Sequence, residues 1–360
     1  MAKVYLTRAV LGLFIFVVLF PCLAQAADIQ PLSEGDHFRH PMPDKFYTES
    51  WGYHLMADSG ELMSLSFLFS NIGLTSGSAG VQLTWAKPGS DPVILRDQRN
   101  QSEFKTDPQA GAISIGPHSI TVRGNSTRLV FSADGVRADL TLRPWMPGFR
   151  IGDGKTLINK NKGEFNQMFI EIPRGDFDGT ITIHGETLSI RGGVFMEHTV
   201  NNVPATSYSR YWYSLRAFFP THTAIFLGFR YLPGAGGERW DLGYVTDRNS
   251  ILGVSTECKV KPSGAYKGPK GKMVPSNFAV EMSGGDMQLS GTYQSQEMYS
   301  STPVLEDLSW LVRKVATAFA GNPIIYRFRS NASLFLHKSD DTDTLHLEGP
   351  AYQGVVTMKN

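Results

Sequence analysis

Residues 63–70 read Met-Ser-Leu-Ser-Phe-Leu-Phe-Ser, and this alternating stretch decides the class of fold. Met63, Leu65, Phe67 and Phe69 fall on one side of an extended chain, because successive side chains of a β-strand point to opposite faces. The other side of the stretch is mostly serine. This period of two predicts a strand with one face in a hydrophobic core and the other face elsewhere.

The same alternation of apolar and polar residues recurs along the chain. It is found at residues 81–85, 139–143, 181–184, 211–219 and 345–347. Many of the 36 glycines and 20 prolines lie between these runs, as hairpin turns require. Many short strands without intervening helices predict an all-β protein of antiparallel barrels or sandwiches, and not a parallel α/β sheet.

One amphipathic helix is predicted late in the chain, over residues 303–320. Thr302 is a suitable N-cap and Pro303 is a suitable first helical residue. Apolar residues at helical spacing, Leu311 among them, form one stripe, and Gly321 is a suitable stop. The helix either packs against a barrel, as such helices usually do, or acts as a lid that touches a membrane.

Residues 1–26 are interpreted as an export signal. Two basic residues precede the apolar run Val10–Phe20, which is too short to cross a bilayer because a transmembrane helix needs about 20 residues. Ala24-Gln25-Ala26 fits the small-x-small cleavage pattern. The pattern predicts cleavage after Ala26 and a periplasmic protein, with secretion from a eukaryotic cell as the alternative.

Charge and cysteine content restrict the partners and the means of stabilisation. The chain has 34 basic and 33 acidic residues, and removal of the signal leaves 32 against 33, so no nucleic-acid partner is predicted. The lysine-rich stretch Lys259–Lys272 is read as a solvated loop, with weak, transient contact to anionic membrane headgroups as the alternative. Outside the signal only Cys258 remains, which excludes an internal disulfide. About 330 mature residues favour two domains.

Sequence motifs predict neither a cofactor nor a metal site. The chain has no Gly-rich phosphate loop, no cysteine pair with zinc spacing and no Gly-x-Ser-x-Gly elbow. Its nine histidines are scattered, and a lone strand histidine usually makes a hydrogen bond and does not ligate a metal. An enzyme is still compatible with this sequence, because active sites of barrels assemble from distant strands.

Two anchors carry a resemblance to a known family. Near the mature start, Thr48-Glu49-Ser50-Trp51-Gly52-Tyr53 is followed by the alternating run and then by Asn71-Ile72-Gly73. Near the end, residues 321–328 read Gly-Asn-Pro-Ile-Ile-Tyr-Arg-Phe and lead into a last predicted strand at residues 349–358. In this order the chain resembles the survival factor 1 family of the double lipocalin-like superfamily, which also holds hydroxyneurosporene synthase and lipocalin-like cyclases.

The resemblance implies both a fold and a function. The fold would be two lipocalin-like antiparallel β-barrel domains at residues 40–188 and 189–360, after an N-terminal extension at residues 27–39. The boundary between them is expected near the turn at Gly185 or at Gly192-Gly193. Because survival factor 1 proteins handle ceramides, the implied function is binding and transport of a hydrophobic, ceramide-like lipid.

The densest group of polar and aromatic residues, between Glu197 and Trp212, is the predicted ligand site. The residues predicted to bind the ligand are His198, Asn202, Tyr208, Arg210, Trp212, Trp51 and Tyr53. Arg210 would hydrogen-bond a polar headgroup with its planar fork, and Trp212 would cover the apolar chain. In the competing interpretation Arg210 bridges the two domains and Trp212 fills a core.

An enzyme that acts on an isoprenoid or polyketide, such as a hydratase, isomerase or cyclase, is the alternative function. Hydroxyneurosporene synthase and its kin carry a His-Asp-His-Asn-Trp cluster, and such chemistry needs a proton donor near the alkene. Here the corresponding place offers only Glu197-His198 and then Asn201-Asn202. We therefore interpret His198 as a loop residue that hydrogen-bonds backbone between the domains, and the sequence favours a carrier over an enzyme.

Overall fold

The alternating segments form β-strands that are paired into two antiparallel sheets. The computed structural model describes residues 28–71, 77–233, 235, 237–268, 273–304, 322–339 and 343–358. In the strand Leu62–Ser70, Met63, Leu65, Phe67 and Phe69 are buried, as the period of two predicts. The prediction of an all-β chain with two antiparallel barrel domains is confirmed.

The first sheet has 14 strands. They are β1 Ile29–Pro31, β2 Thr48–Ala57, β3 Leu62–Ser70, β4 Ser78–Ala86, β5 Val93–Asn100, β6 Phe104–Asp107, β7 Ala112–Ile115, β8 His118–Arg123, β9 Ser126–Ala133, β10 Val136–Pro144, β11 Phe149–Ile151, β12 Lys155–Asn159, β13 Glu164–Ile183 and β14 Glu186–Asn201. The main path runs β5-β4-β3-β2-β14-β13-β10-β9-β8-β7-β6, so the sheet curves around a single core to which strands from β2 to β14 contribute.

The second sheet has nine strands. They are β15 Ser209–Phe218, β16 Thr223–Tyr231, β17 Arg239–Thr246, β18 Ile251–Ser255, β19 Lys259–Lys267, β20 Met273–Gly284, β21 Met287–Pro303, β22 Ile324–Lys338 and β23 Thr344–Thr357. Their order is β18-β17-β16-β15-β23-β22-β21-β20-β19, and β18 also lies beside β20, so this sheet nearly closes into a barrel. The lysine-rich stretch was predicted to be a loop, but residues 259–267 form β19, because backbone hydrogen bonds to β20 hold them extended.

Helices are few and short in the described part of the chain. They are the 3-10 helices Glu34–His37, Gln101–Glu103 and Lys160–Lys162 and the α-helix α1 Ala205–Tyr208, which connects the two sheets. Among the described residues we find no helix long and apolar enough to cross a membrane. The predicted export signal at residues 1–26 lies outside the described residues.

The predicted start of the late helix is wrong. Thr302 and Pro303 are the last residues of β21, where they pair with Ile325 and Ile324 of β22. The buried Thr302 side chain bonds Ser300, and a proline is tolerated at a strand end. The rest of the predicted helix, from residue 305 onward, lies outside the described residues.

The first sheet extends further along the chain than the predicted domain boundary. β14 pairs with β13 on one side and with β2 on the other up to Asn201, so residues 189–201 belong to the first sheet and not to the second. The predicted turn at Gly185 is present, but it is the hairpin within this sheet: His184 and Gly185 have φ of 52° and 81°. The predicted extension also joins this sheet, because β1 pairs with β11.

A third apolar cluster holds the two sheets together. It combines residues from the outer faces of both, with Phe149, Ile170 and Phe195 on the first and Ile225 and Tyr244 on the second. The strands that meet here have both faces buried, one in a barrel and one between the barrels. This double burial explains why β16 is apolar on both sides.

Candidate functional site

A cavity of about 300 Å³ lies between the two sheets; we call it the interdomain cavity. From β2 it is lined by Ser50, Gly52 and His54. The intervening Trp51 and Tyr53 point the other way, into the core of the first barrel, because neighbouring strand residues face opposite sides. The cavity volume is at the lower end of the range of small-molecule sites.

One wall of the interdomain cavity is aromatic. Trp212 on β15 stacks with Phe229 on β16, with ring centroids 5.8 Å apart, and Phe229 stacks with Trp240 on β17 at 5.5 Å. Leu227 and Met168 extend this apolar surface. Burial of hydrocarbon against such a wall is favourable by about 25 cal/mol per Å² of area removed from water.

The opposite end of the interdomain cavity contains an ion pair between a buried arginine and a partly exposed glutamate. Arg216 on β15 is 2% exposed, and its Nη2 lies 3.3 Å from Oε1 of Glu197 on β14. Its Nη1 donates to Ser214 Oγ at 2.6 Å, and its guanidinium lies 4.9 Å from the ring centroid of Phe195. His54 Nε2 is 3.5 Å from the same oxygen of Glu197.

The contacts at this polar end determine the protonation states of Glu197 and His54. Burial opposes ionisation of Glu197, but the Arg216 guanidinium and the His54 contact hold the pKa of the carboxyl below its usual range. Burial and the nearby Arg216 charge lower the pKa of His54 to about 4. At neutral pH Glu197 is therefore ionised and His54 is neutral.

Further polar groups of the cavity have no hydrogen-bond partner among the described residues. They are Nη1 of Arg327, the hydroxyl of Tyr352 and the indole nitrogen of Trp212. Burial raises the pKa of Tyr352 and of Tyr299, so both phenols are neutral at neutral pH. The groups of Arg327 and Tyr352 present hydrogen-bond donors near Arg216, and a few polar groups of this kind orient a ligand in an apolar pocket.

A second buried polar group lies inside the first barrel; we call it the histidine cluster, and it consists of His40, Glu49, Glu171 and His198. His198 and Glu49 are completely buried, and their Nε2 and Oε1 atoms are 2.8 Å apart. The other ring nitrogen of His198 is 3.2 Å from Glu171 Oε1 and 2.8 Å from the backbone oxygen of Asp36.

The carboxylates of the histidine cluster have additional donors. Glu49 accepts hydrogen bonds from the backbone N–H of His40 at 2.9 Å and from the hydroxyl of Tyr47. Burial opposes the charged forms, but the two carboxylates raise the pKa of His198 to about 9, and the two histidines lower that of Glu49 to about 2. His198 is therefore a cation held between two anions.

The histidine cluster also contains atoms of the kind that bind metals. Ligand atoms of His40, Glu49 and His198 all lie within 4.8 Å of one another, and two histidines with a glutamate can hold zinc. Here these atoms are hydrogen-bonded to each other, with His40 Nδ1 at 3.1 Å and His198 Nε2 at 2.8 Å from Glu49 Oε1. The sequence expectation that the chain has no metal site stays a prediction.

Three of the residues predicted to bind ligand lie in the first barrel and not in the interdomain cavity. Trp51, Tyr53 and His198 are buried there, and the Trp51 ring stacks on His198 with centroids 4.6 Å apart. The interpretation of His198 as a loop residue between domains is wrong, because it lies within β14, where it is paired with Phe169 and Trp51.

The other predicted residues lie around the start of the second sheet. Trp212 lines the interdomain cavity, and the buried Tyr208 packs behind it on Phe229. Asn202 joins the end of β14 to the start of β13: its Oδ1 accepts the N–H of Phe165. Arg210 is exposed at an irregularity of β15 and is not among the lining residues.

The alternative catalytic pair, Glu197 and His198, is divided by the strand. Glu197 faces the interdomain cavity, and His198 faces the interior of the first barrel. Sequence reasoning missed His54, Arg216 and Arg327 as cavity residues. These residues are charged or polar side chains on the second face of a strand whose first face is core, which is also the pattern of a solvated face, so the alternation alone did not mark them as cavity residues.

Comparisons with known proteins agree with this architecture. The model of the Svf1 family matches residues 23–356. Among solved structures, CghA with Sch210972 superimposes with a TM-score of 0.64 at 14% identity and covers 93% of this chain and 94% of its own. Kievitone hydratase from Nectria haematococca superimposes with a TM-score of 0.58 at 11% identity, over 91% of this chain and 94% of its own. At such identities these two likenesses concern the fold alone.

Two curated relatives are similar in sequence. The ceramide-binding protein svf1 of Emericella nidulans is 26% identical over 224 residues, which is 58% of this chain and 57% of the relative. The ceramide-binding protein SVF1 of Eremothecium gossypii is 20% identical over 221 residues, 56% of this chain and 57% of the relative. The chain thus spans little more than half the length of these relatives. Since the family model matches nearly the whole chain, the protein belongs to the Svf1 family.

Proposed function

We propose that this protein binds a hydrophobic, ceramide-like lipid in the interdomain cavity and carries it through an aqueous compartment. The observation that carries the proposal is the separation of apolar and polar groups in the cavity lining. Trp212, Phe229 and Trp240 form an aromatic wall, and Arg216 lies at a polar end. A lipid with a polar head and an apolar chain matches this arrangement. The two curated relatives named as ceramide-binding proteins support the same class of ligand.

The proposed transport function follows from the unfavourable free energy of exposing a lipid's hydrocarbon to water. A free lipid in water exposes its hydrocarbon at about 0.8 kcal/mol per CH₂ group. A cavity between two barrels removes that cost during transfer. The lysines of β19 at the sheet edge, with the exposed Tyr266 and Met273 nearby, are the surface that we propose for transient contact with membranes.

An enzymatic function is less well supported by the geometry. Glu197 is the only carboxylic side chain among the described residues that line the interdomain cavity, and its lowered pKa makes it a poor proton donor at neutral pH. His198 cannot assist Glu197, because it lies on the other side of β14. We therefore keep the hydratase, isomerase or cyclase reading as the second candidate, supported only by the fold of kievitone hydratase.

Mass spectrometry of lipids extracted from the purified protein tests the proposal, together with one variant. A Cβ atom at Gly52 would meet nothing closer than 3.5 Å, so Gly52→Val adds a side chain to the cavity without a backbone clash. We expect this variant to retain its melting temperature and to bind a fluorescent ceramide at least tenfold more weakly. Ser189→Val, at an exposed position of β14, is the control and should bind normally. Equal ceramide binding by both variants would show that the lipid does not bind in the interdomain cavity.

We also propose that the chain is exported and acts in the periplasm after cleavage behind Ala26. The support is the short apolar run before Ala24-Gln25-Ala26, and the Svf1 family match begins only at residue 23. N-terminal sequencing of protein from a periplasmic extract should start at Ala27. Recovery of the full-length chain from the cytosol alone would contradict this proposal.

A further inference from the structure

The interdomain cavity carries an excess of positive charge. Among its described lining residues the ionised groups are Arg216, Arg327 and Glu197, which give two positive charges and one negative charge. Glu197 is engaged by Arg216 at 3.3 Å. The neighbouring His54 is neutral at neutral pH, so it does not change this count. One positive charge therefore remains without a carboxylate inside a cavity with an apolar wall.

The unmatched charge belongs to Arg327. This residue makes no salt bridge within the described part of the chain, and its Nη1 is solvent-inaccessible and without a hydrogen-bond partner there. Burial and the nearby Arg216 guanidinium lower its pKa, but an arginine stays protonated in a protein. The Arg327 side chain is only partly exposed, and a cation that is partly removed from water without a counter-charge is disfavoured, so proteins usually supply such a group with an anion.

Among the described residues, the surroundings of Arg327 contain further donors and no additional charged acceptor. The hydroxyl of Tyr352 and the Nε atom of Arg216 are also buried without partners among the described residues, and Tyr299 is a neutral phenol. A ceramide headgroup has only hydroxyl and amide groups and would leave the cation uncompensated. A carboxylate or phosphate accepts several hydrogen bonds at once and supplies the missing negative charge.

We propose that the ligand of the interdomain cavity is an acidic lipid, whose carboxylate or phosphate pairs with Arg327 while its hydrocarbon chain lies on the Trp212–Phe229–Trp240 wall. The inference rests on the proposed lipid-binding function, but it replaces the neutral, ceramide-like headgroup of that proposal with an acidic one. An acidic ligand and a neutral ceramide lead to different expectations in one measurable respect, the dependence of affinity on the charge of the headgroup.

Matched ligands test the charge directly. We would titrate the full chain with oleate, oleyl alcohol, a lysophosphatidate and a ceramide and follow tryptophan fluorescence, since Trp212 and Trp240 line the cavity. Oleate or the lysophosphatidate should bind at least tenfold more tightly than oleyl alcohol and the ceramide, the factor expected for a hydrogen bond to a charged group. Acetate and inorganic phosphate should not compete at equal concentration, because they lack the chain.

Two variants locate the charge. Arg327→Gln should weaken the binding of the acidic lipid about tenfold or more and leave that of oleyl alcohol unchanged. Arg137→Gln, which alters an arginine that is 55% exposed on β10 and pairs with Asp139, is the control. Thermal melts of both variants separate a loss of binding from a loss of folding.

The outcomes distinguish this inference from the function on which it depends. If oleyl alcohol and the ceramide bind as tightly as the acids, the acidic-lipid inference is overturned and lipid binding stands. If Arg327→Gln binds the acids as the control does, Arg327 is not the partner and the inference fails. If acetate displaces the acids at equal concentration, the site recognises a free anion and the acidic-lipid inference is overturned. If none of the four lipids binds, both the inference and the proposed function are wrong.

Discussion

At the scale of single residues, His198 shows how a buried ion network forms where the sequence shows only a lone histidine. Its partners come from three separate segments: Glu49 on β2, Glu171 on β13, and the N-terminal segment that carries Asp36, whose backbone oxygen it contacts. A histidine on a strand is usually a hydrogen-bonded or surface residue, so the sequence could not predict that this one is a cation between two carboxylates.

The histidine cluster predicts a stability that depends on pH. The pKa of His198 is raised to about 9 in the folded state, so its contribution is complete below its ordinary value near 6.5 and is lost as the pH rises through about 9. The groups that face it are Glu49, Glu171 and the nearby His37 and His40. Urea unfolding should give a free energy about 1–3 kcal/mol lower at pH 9.5 than at pH 6.

Substitution of the histidine checks this assignment. In His198→Gln the difference between the two pH values should largely disappear, and the variant should be less stable at pH 6, because two buried carboxylates lose their cation. His346→Gln on β23 is the matched control, because His346 is exposed and bonds only Ser333 among the described residues. An unchanged pH dependence in His198→Gln would show that another group titrates.

At the scale of the strands, the alternation of apolar and polar residues predicted most of the fold. It failed where pairing with a distant strand determines the local structure. The run at 63–70 and the run at 211–219 are strands with the predicted buried faces. Thr302 and Pro303 carry good signals for a helix start, but pairing with β22 extends β21 over them. Backbone pairing between distant segments overrides such local preferences, and a single sequence does not contain the register.

The site was predictable only in part for the same reason. The concentration of polar and aromatic residues around Trp212 and the family resemblance predict that it belongs to the ligand site, and it lines the interdomain cavity. Trp51 and Tyr53 lie on the other face of β2, one residue away from the cavity-lining Gly52. Which face of a doubly buried strand meets the other sheet depends on how the two barrels pack, and the period of two is the same for both faces.

At the scale of the whole molecule, the two barrels are expected to unfold as one unit. The cluster between them is apolar and takes side chains from both sheets, and besides the Arg216–Glu197 contact three hydrogen bonds between described residues join the sheets. These bonds run from Tyr244 to the backbone oxygen of Pro173, from Arg329 to that of Gly60 and from Arg96 to that of Pro303. A large apolar interface of this kind leaves little independent motion between domains.

Tyr244 offers a precise test of that coupling. Its hydroxyl donates to Pro173 O at 2.9 Å, and its ring meets Phe149 edge to face with centroids 5.3 Å apart. Tyr244→Phe keeps the ring and removes the donor, which leaves a buried carbonyl oxygen without this partner and should cost about 1–3 kcal/mol. Tyr266→Phe on β19, 39% exposed, should cost less than about 0.5 kcal/mol. If the barrels are coupled, Tyr244→Phe lowers the midpoint of a single urea transition that fluorescence and circular dichroism report alike. Two separated transitions in the unaltered protein would instead show that each barrel unfolds alone, and the interdomain cavity would then depend on a weak contact.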